Sequence, residues 1–170
     1  MRLPGDFNRA NALAAVATAA ALGVPPDRAA AAIASVSSVA HRYAVVERGR
    51  HRMILLLAKN PAGWRETLPL TASADGVLLA VNAREADGRD TSWLWDVPFE
   101  QLTGHPTAAS GEAVADLGLR LAYAGVGHTA AADPLDALSA LPDGEVTVVA
   151  NYTAFTGLWQ RLQLGARGER

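Results

Sequence analysis

The segment "EADGRDTSWLWD", residues 85–96, holds the first candidates for chemistry in this chain. Asp87, Asp90 and Asp96 follow an apolar run, "GVLLAVN", and share their dozen residues with Gly88, Trp93 and Trp95. A carboxylate fixed by a tight turn can orient an imidazole, set its tautomer and stabilise its charged form. Gly88 permits such a turn. Read as an extended segment, Trp93 and Trp95 share one face and Leu94 takes the other. An ordinary acidic loop, with tryptophans covering a core, accounts for the same residues.

The groups that such a carboxylate would serve are not evident nearby. His41, His51, His105 and His128 are isolated, and none falls on this side of the expected sheet. An imidazole oriented by one of these aspartates therefore has to come from another polypeptide. The chain has no cysteine, hence no thiol nucleophile, disulfide or thiolate metal site. No serine has a base close to it in sequence. No two histidines have helical i, i+4 spacing, and "DGRD" is too short for a calcium loop, so no metal site is expected. Lys59 is the only lysine and lies in "LLLAKNPAG", without the glycines of a phosphate-binding P-loop. No G-x-G-x-x-G follows a strand, so a dinucleotide fingerprint is absent too.

Several elements must position these residues. "FNRANALAAVATAAALG" reads as a helix capped by Gly23, and "DRAAAAIASV" as a second after Pro25 and Pro26. "YAVVE" and "MILLLA" flank "RGRH" as a hairpin. A helix follows Pro61, and "GVLLAV" is a buried strand. "VPFEQL" is a short helical turn. Ser110 caps "GEAVADLGLRLAYAG", which ends at Gly125. "DPLDALSAL" is a helix, "EVTVVA" a strand and "TAFTGLWQRLQL" a last helix, leaving "GARGER" as a frayed tail. Helices alternating with apolar strands predict an α/β fold: a mostly parallel sheet covered on both faces, with an antiparallel hairpin strand at one side. "LLLAKN", "LLAVN" and "TVVAN" each run into an asparagine (Asn60, Asn82, Asn151) and then a polar loop. Each alone is accounted for by an ordinary strand-to-helix turn. Together they mark the carboxyl edge, where open α/β sheets bind ligands.

Length and composition bound the rest. With 170 residues, half of them hydrophobic, the chain can bury a single core. A formal net charge of −2 gives no reason to expect nucleic acid, and no basic block suggests a membrane surface. No run approaches the ~20 apolar residues of a transmembrane segment, and the start lacks a signal peptide. A cytoplasmic domain is the default expectation.

Four stretches resemble known sequences. "LPGDFNRANALAAVATAAALGV" is similar to the segment that closes the ATP-binding central domain of Mur ligases, and "AKNPAGW" to their "A-H-N-P" stretch, with Lys59 in place of the histidine. "ADGRDTSWLWD" and "ANYTAF" resemble the Mur-ligase-like subunit, MurT, of lipid II isoglutaminyl synthase. The resemblance runs to about Leu162, and "DGRDTSWLWD" is its most specific part.

The resemblance implies a Rossmann-like fold of the Mur ligase C-terminal domain type. It implies three parts: residues 1–23 as the terminal helix of a preceding ATP-binding domain, 24–164 as the C-terminal domain, and 165–170 as a disordered tail. It implies a glutamine amidotransferase partner, GatD, whose cysteine and histidine release ammonia from glutamine. The Mur-like subunit uses ATP, with Mg, to activate the α-carboxylate of D-glutamate in the lipid II stem peptide, and ammonia gives D-isoglutamine. In that family an aspartate of the C-terminal domain completes the partner's Cys–His pair. The role carries to Asp90 first, then Asp87, with Asp96 third; the sequence does not decide among them. Asn8 and Asn11 match asparagines that lie near the adenine in Mur ligases, and Arg42 matches an arginine at the start of their C-terminal domain. Lys59 and Asn60 face the expected cleft, in reach of nucleotide or substrate.

Departures are equally specific. The family's N-terminal substrate domain is missing from these residues, as are the P-loop domain and its zinc-binding cysteines, and Ala83 stands where an acid is expected. The resemblance therefore implies a fragment that does not bind ATP tightly by itself. The other reading of the residues is a freestanding α/β module that binds a nucleotide or a protein and contributes no catalytic group.

Overall fold

The computed structural model describes residues 3–36 and 42–168. The chain divides into two compact units, Met1–Ala40 and His41–Arg170. The first contains α1 (Asp6–Ala21) and α2 (Pro26–Ala34). α1 ends where expected. Gly23 turns left-handed (φ +87°), and the Gly23 and Val24 amides bond back to Ala20 and Ala19. The boundary expected after Gly23 falls inside this unit, because α2 groups with α1. Among its described residues only Ala29 is buried, so these two alanine-rich helices form little core of their own.

The second unit is a six-stranded sheet in the order β1-β2-β6-β3-β4-β5. β1 (Tyr43–Arg48) and β2 (His51–Leu57) form the expected antiparallel hairpin around Gly49 and Arg50. β3 (Gly76–Ala80), β4 (Thr107–Ser110), β5 (His128–Ala130) and β6 (Gly144–Ala150) all run parallel to β2. α3 (Pro61–Thr67), α4 (Val114–Tyr123), α5 (Pro134–Ser139) and α6 (Tyr152–Gly168) cover it.

Alternation along β3 divides the core into two. Val77, Leu79 and Val81 pack with Trp64, Phe99, Leu117 and Leu121 beneath α3 and α4. Leu78 and Ala80 pack with Leu138, Phe155, Leu158 and Leu162 beneath α5 and α6. A strand buried on both faces reads as a continuous apolar run, which is why "GVLLAV" was legible as one.

Four expectations change. Residues 107–110 are a strand, so Ser110 is not a helix cap; its hydroxyl donates to the Ala132 carbonyl, and α4 starts at Val114. "TAAS" is too short and too small-residued to show strand patterning, and three-residue β5 likewise. Residues 92–96 form a 3-10 turn instead of an extended segment, so the two tryptophans diverge: Trp93 packs on Trp64, with ring centroids 6.0 Å apart, whereas Trp95 stays 53% exposed. Finally, α6 continues through Gly168, past the point where a tail was expected to begin; residues 169–170 lie outside those described.

Trp64 is wholly buried, and its indole N–H finds no partner. Trp64→Ala should cost about 3–5 kcal/mol. Trp64→Phe should cost under about 1.5 kcal/mol, because it also removes an unpaired buried donor. Urea denaturation of both variants tests this difference.

Candidate functional site

The ends of β2, β6 and β3 lie side by side, with Leu57 opposite Ala150 and Ala80 opposite Ala150. The three asparagines therefore share the carboxyl edge, but they do different work. Asn60 caps α3, its side-chain oxygen accepting from the Gly63 amide at 3.0 Å. Asn151, 2% exposed, uses its side chain as a substitute peptide group. Its Oδ1 accepts from the Asn82 amide at 3.0 Å and its Nδ2 donates to the Asn82 carbonyl at 2.6 Å, one step beyond the last strand pair. The Asn82 side chain reaches both ways, accepting from the Glu112 amide at 3.0 Å and donating to Thr153 Oγ1 at 3.1 Å. β3, β6, the end of β4 and the start of α6 are thereby joined through the side chains of two asparagines.

The aspartate loop leaves from this junction. Asp87 is half-buried and bound inward. Its carboxylate accepts from the Thr153 amide at 3.0 Å and from the Thr153 hydroxyl, so it caps the first turn of α6. Asp90 is exposed. Its two oxygens accept from the Ser92 amide at 2.8 Å and the Ser92 hydroxyl at 3.0 Å. These two bonds, the amide's first, hold its carboxyl below the ordinary value and fix its orientation. Asp96 is exposed, and its backbone carbonyl accepts from Arg65 at 2.9 Å. The structure thus separates the three candidates: Asp87 is occupied by α6, whereas Asp90 is oriented and open.

A cleft of about 450 Å³ opens on the same edge, lined by Asn82, Gly111, Thr153 and Gly157 among others. Gly111 has φ +97°, and a Cβ there would lie 2.3 Å from the Val81 carbonyl oxygen, so only glycine fits. Two ion pairs flank the cleft: Arg84–Glu112 at 2.6 Å and Arg161–Asp133 at 2.8 Å. The Arg84 hydrogen bond lowers the Glu112 carboxyl, and the Arg161 hydrogen bond lowers that of Asp133.

The remaining candidates fall in two places. Arg42 and Lys59 are exposed at the same edge, beside Asn60; the Arg42 carbonyl accepts from Leu57 at the end of β2. Asn8 and Asn11 lie on α1 in the first unit, Asn8 bonded to the Pro4 carbonyl at 2.6 Å and Asn11 exposed. His51, His105 and His128 stand at or just before the starts of β2, β4 and β5, on the opposite edge. Among the described residues no histidine is at the carboxyl edge; His41 lies outside them.

The model of the MurT ligase C-terminal family matches residues 57–155 of this chain. The chain belongs to that family. MurT, a subunit of the glutamine-hydrolyzing lipid II isoglutaminyl synthase of Staphylococcus aureus, is 30% identical over 99% of the chain. MurT of Streptococcus pneumoniae is 35% identical over 61% of it. The chain spans only 41% of the Staphylococcus aureus subunit and 24% of the Streptococcus pneumoniae one. The fold is that of Mur ligases. UDP-N-acetylmuramate-alanine ligase MurC from Thermotoga maritima superposes with a TM-score of 0.70 at 13% identity, over 99% of this chain and 39% of its own.

The MurT-family match covers the carboxyl edge from Leu57 to Phe155, including Asn60, Asn82, the aspartate loop and Asn151. Within it, Thr153, Glu112, Asp116 and Arg120 are residues that sequence reasoning did not select. Their roles arise from tertiary neighbours 20 to 71 positions away, which no local pattern reports. One cue was present: Asp116 and Arg120 stand four apart on an otherwise apolar helix.

Removing the Asn151 side chain strands two buried backbone groups of Asn82. Asn151→Ala should cost about 2–4 kcal/mol. Asn151→Asp should cost more, because a carboxylate cannot donate to the Asn82 carbonyl. Denaturation midpoints at unchanged slope provide the measurement. The flanking ion pairs predict a pH effect. Glu112 and Asp133 sit below their ordinary values when folded, so their stabilising contribution is present above those values. It is lost as pH falls through the lowered folded values, below about pH 4. Melting curves of a Glu112→Gln/Asp133→Asn variant should fall less steeply with acid than those of the parent.

Proposed function

We propose that this chain is the C-terminal domain of the Mur-ligase-like subunit of a lipid II isoglutaminyl synthase. In this reading it docks a GatD-type glutamine amidotransferase subunit and lends Asp90 to that subunit's Cys–His pair. The observation that carries the reading is Asp90 itself. It is an ionised carboxylate, bonded through both oxygens to Ser92, open to solvent, on an edge without a described histidine of its own chain.

The chemistry follows from that geometry. An imidazole supplied by the partner donates one ring N–H to Asp90, which fixes its tautomer. The other ring nitrogen takes the thiol proton, and Asp90 stabilises the imidazolium. The thiolate attacks the carboxamide carbon of glutamine. The imidazolium returns its proton as ammonia leaves, and water releases glutamate from the thioester. Ammonia then reacts with the activated α-carboxylate of D-glutamate in the lipid II stem peptide, giving D-isoglutamine.

We assign ATP and Mg²⁺ to another part of the subunit. The chain has no P-loop, and among the described residues no three His, Asp or Glu side chains gather to hold a metal ion. Its own contribution to that step is limited to Arg42, Lys59 and Asn60 at the edge, and to α1 with Asn8 and Asn11. Residues 1–23 are assigned to the terminal helix of a preceding ATP-binding domain; α1, which has no buried residue and ends at Gly23, supports that assignment. The proposed setting is the cytoplasm. No helix among the described residues is long and apolar enough to cross a membrane.

In the complex with the glutaminase subunit, Asp90→Asn should lower kcat for glutamine hydrolysis about 100-fold or more, with the melting temperature of the domain unchanged. Full activity in Asp90→Asn, with loss in a folded Asp87→Asn variant, would transfer the role to Asp87. Full activity in both would sink the reading.

A further inference from the structure

We infer that Asp116 and Arg120, one turn apart on α4, form a two-point mount that positions Asp90 for its partner. The inference rests on the reading of Asp90 given above. Asp116 Oδ2 accepts from the Thr91 hydroxyl at 2.7 Å, at the residue next to Asp90. Arg120 Nη2 donates to the Val97 carbonyl and to Glu100 Oε1, each at 2.8 Å. Its guanidinium carbon lies 5.6 Å from the ring centroids of both Trp95 and Phe99. Residues four apart share one helix face, so both contacts leave the same side of α4. The segment from Thr91 to Val97 is gripped at its two ends by one rigid element. From the other side, Arg65 holds the Asp96 carbonyl and Trp64 holds Trp93.

Stability alone does not explain Arg120. It is 6% exposed, and its Nε has no partner. Its one carboxylate, Glu100, is 57% exposed, so the ion pair returns little against the desolvation of a guanidinium. An apolar side chain of similar volume fills such a site as well or better. It cannot bond the Val97 carbonyl or lie polarised between two aromatic rings. What Arg120 adds is a fixed path for the segment, which holds the exposed Asp96 within it and begins at Thr91, the residue that follows the exposed Asp90. A displacement of about 1 Å at a reacting group costs on the order of 100-fold in rate, so the mount matters to catalysis out of proportion to its energy.

Asp116→Ala and Arg120→Met should therefore lower kcat for glutamine hydrolysis about 10- to 100-fold in the complex with the glutaminase subunit. KM for glutamine, set by the partner's own pocket, should change less than about twofold. Asp116→Asn still accepts from the Thr91 hydroxyl and should keep at least about half of kcat. If Asp90→Asn abolishes hydrolysis while Asp116→Ala and Arg120→Met retain it, the mount is wrong and the reading of Asp90 stands. If Asp90→Asn is without effect, both fail. Should Arg120→Met not fold, Thr91→Val removes one hydroxyl of the same grip, and full kcat in that variant overturns the mount.

Discussion

The carboxyl edge of this domain depends on one amide standing in for a peptide group. At Ala150 the β6 ladder ends, and the chain must turn into α6 while the chain leaving β3 runs on through Val81 to Asn82. That leaves a backbone N–H and C=O facing a buried gap, where an unpaired group is costly. The Asn151 side chain presents a donor and an acceptor at the required spacing, and closes the gap. Only Asn and Gln carry a carboxamide, with C=O and N–H at the spacing of a peptide group, and Gln is a methylene longer. Because Asn82 is then held by its backbone, its own side chain is free to reach Glu112 and Thr153. The loops after β3 and β4 and the start of α6 are located by this pair, and so is the cleft between them.

A second layer rests on the first. Thr153, placed by Asn82, receives Asp87, which anchors the start of the aspartate loop. From there the loop crosses to α4 and passes over the aromatic cluster of Trp64, Trp93 and Phe99. The two aspartates near Gly88 thus divide the labour. Asp87 spends its acceptors on the protein. Asp90 binds only the residue two positions ahead, a local bond that sets direction without covering the carboxylate. The left-handed Gly88 between them lets one face inward and the other outward.

How much of this was legible in the sequence follows from where each signal resides. Runs such as "GVLLAV" and "EVTVVA" show strands, and Gly23 and Pro61 show helix ends, because those features act within a few residues. Their convergence on one edge was legible too, since parallel strands place all their carboxyl ends together. β4 and β5 were not: four and three residues, with Ala, Ser and Thr, are strands only because β3 pairs with them. Trp93 and Trp95 would share a face only in an extended segment, and the contacts with Trp64 and Arg120 that accompany the 3-10 turn here leave no trace in local alternation. The choice between Asp87 and Asp90 was open for the same reason. The contact that occupies Asp87 comes from Thr153, 66 positions away.

Placing the acid on one polypeptide and the proposed imidazole on another has a physical consequence. In the free domain Asp90 is solvated, and water screens whatever field it exerts. A docking surface that covers it removes that water, and the carboxylate–imidazole attraction grows as the effective dielectric falls. The Ser92 bonds, which hold the Asp90 carboxyl below its ordinary value in the free domain, act against the upward shift that such a covering would impose. A rigid mount matters most at that moment, because a carboxylate free to swing would return to solvent instead of meeting the ring. Under the proposed pairing, glutamine hydrolysis is therefore strong only in the assembled pair, where the ammonia it releases has an acceptor. The amide pair at the strand ends, the left-handed turn at Gly88 and the grip of α4 are successive conditions on one outcome: where the Asp90 carboxylate stands.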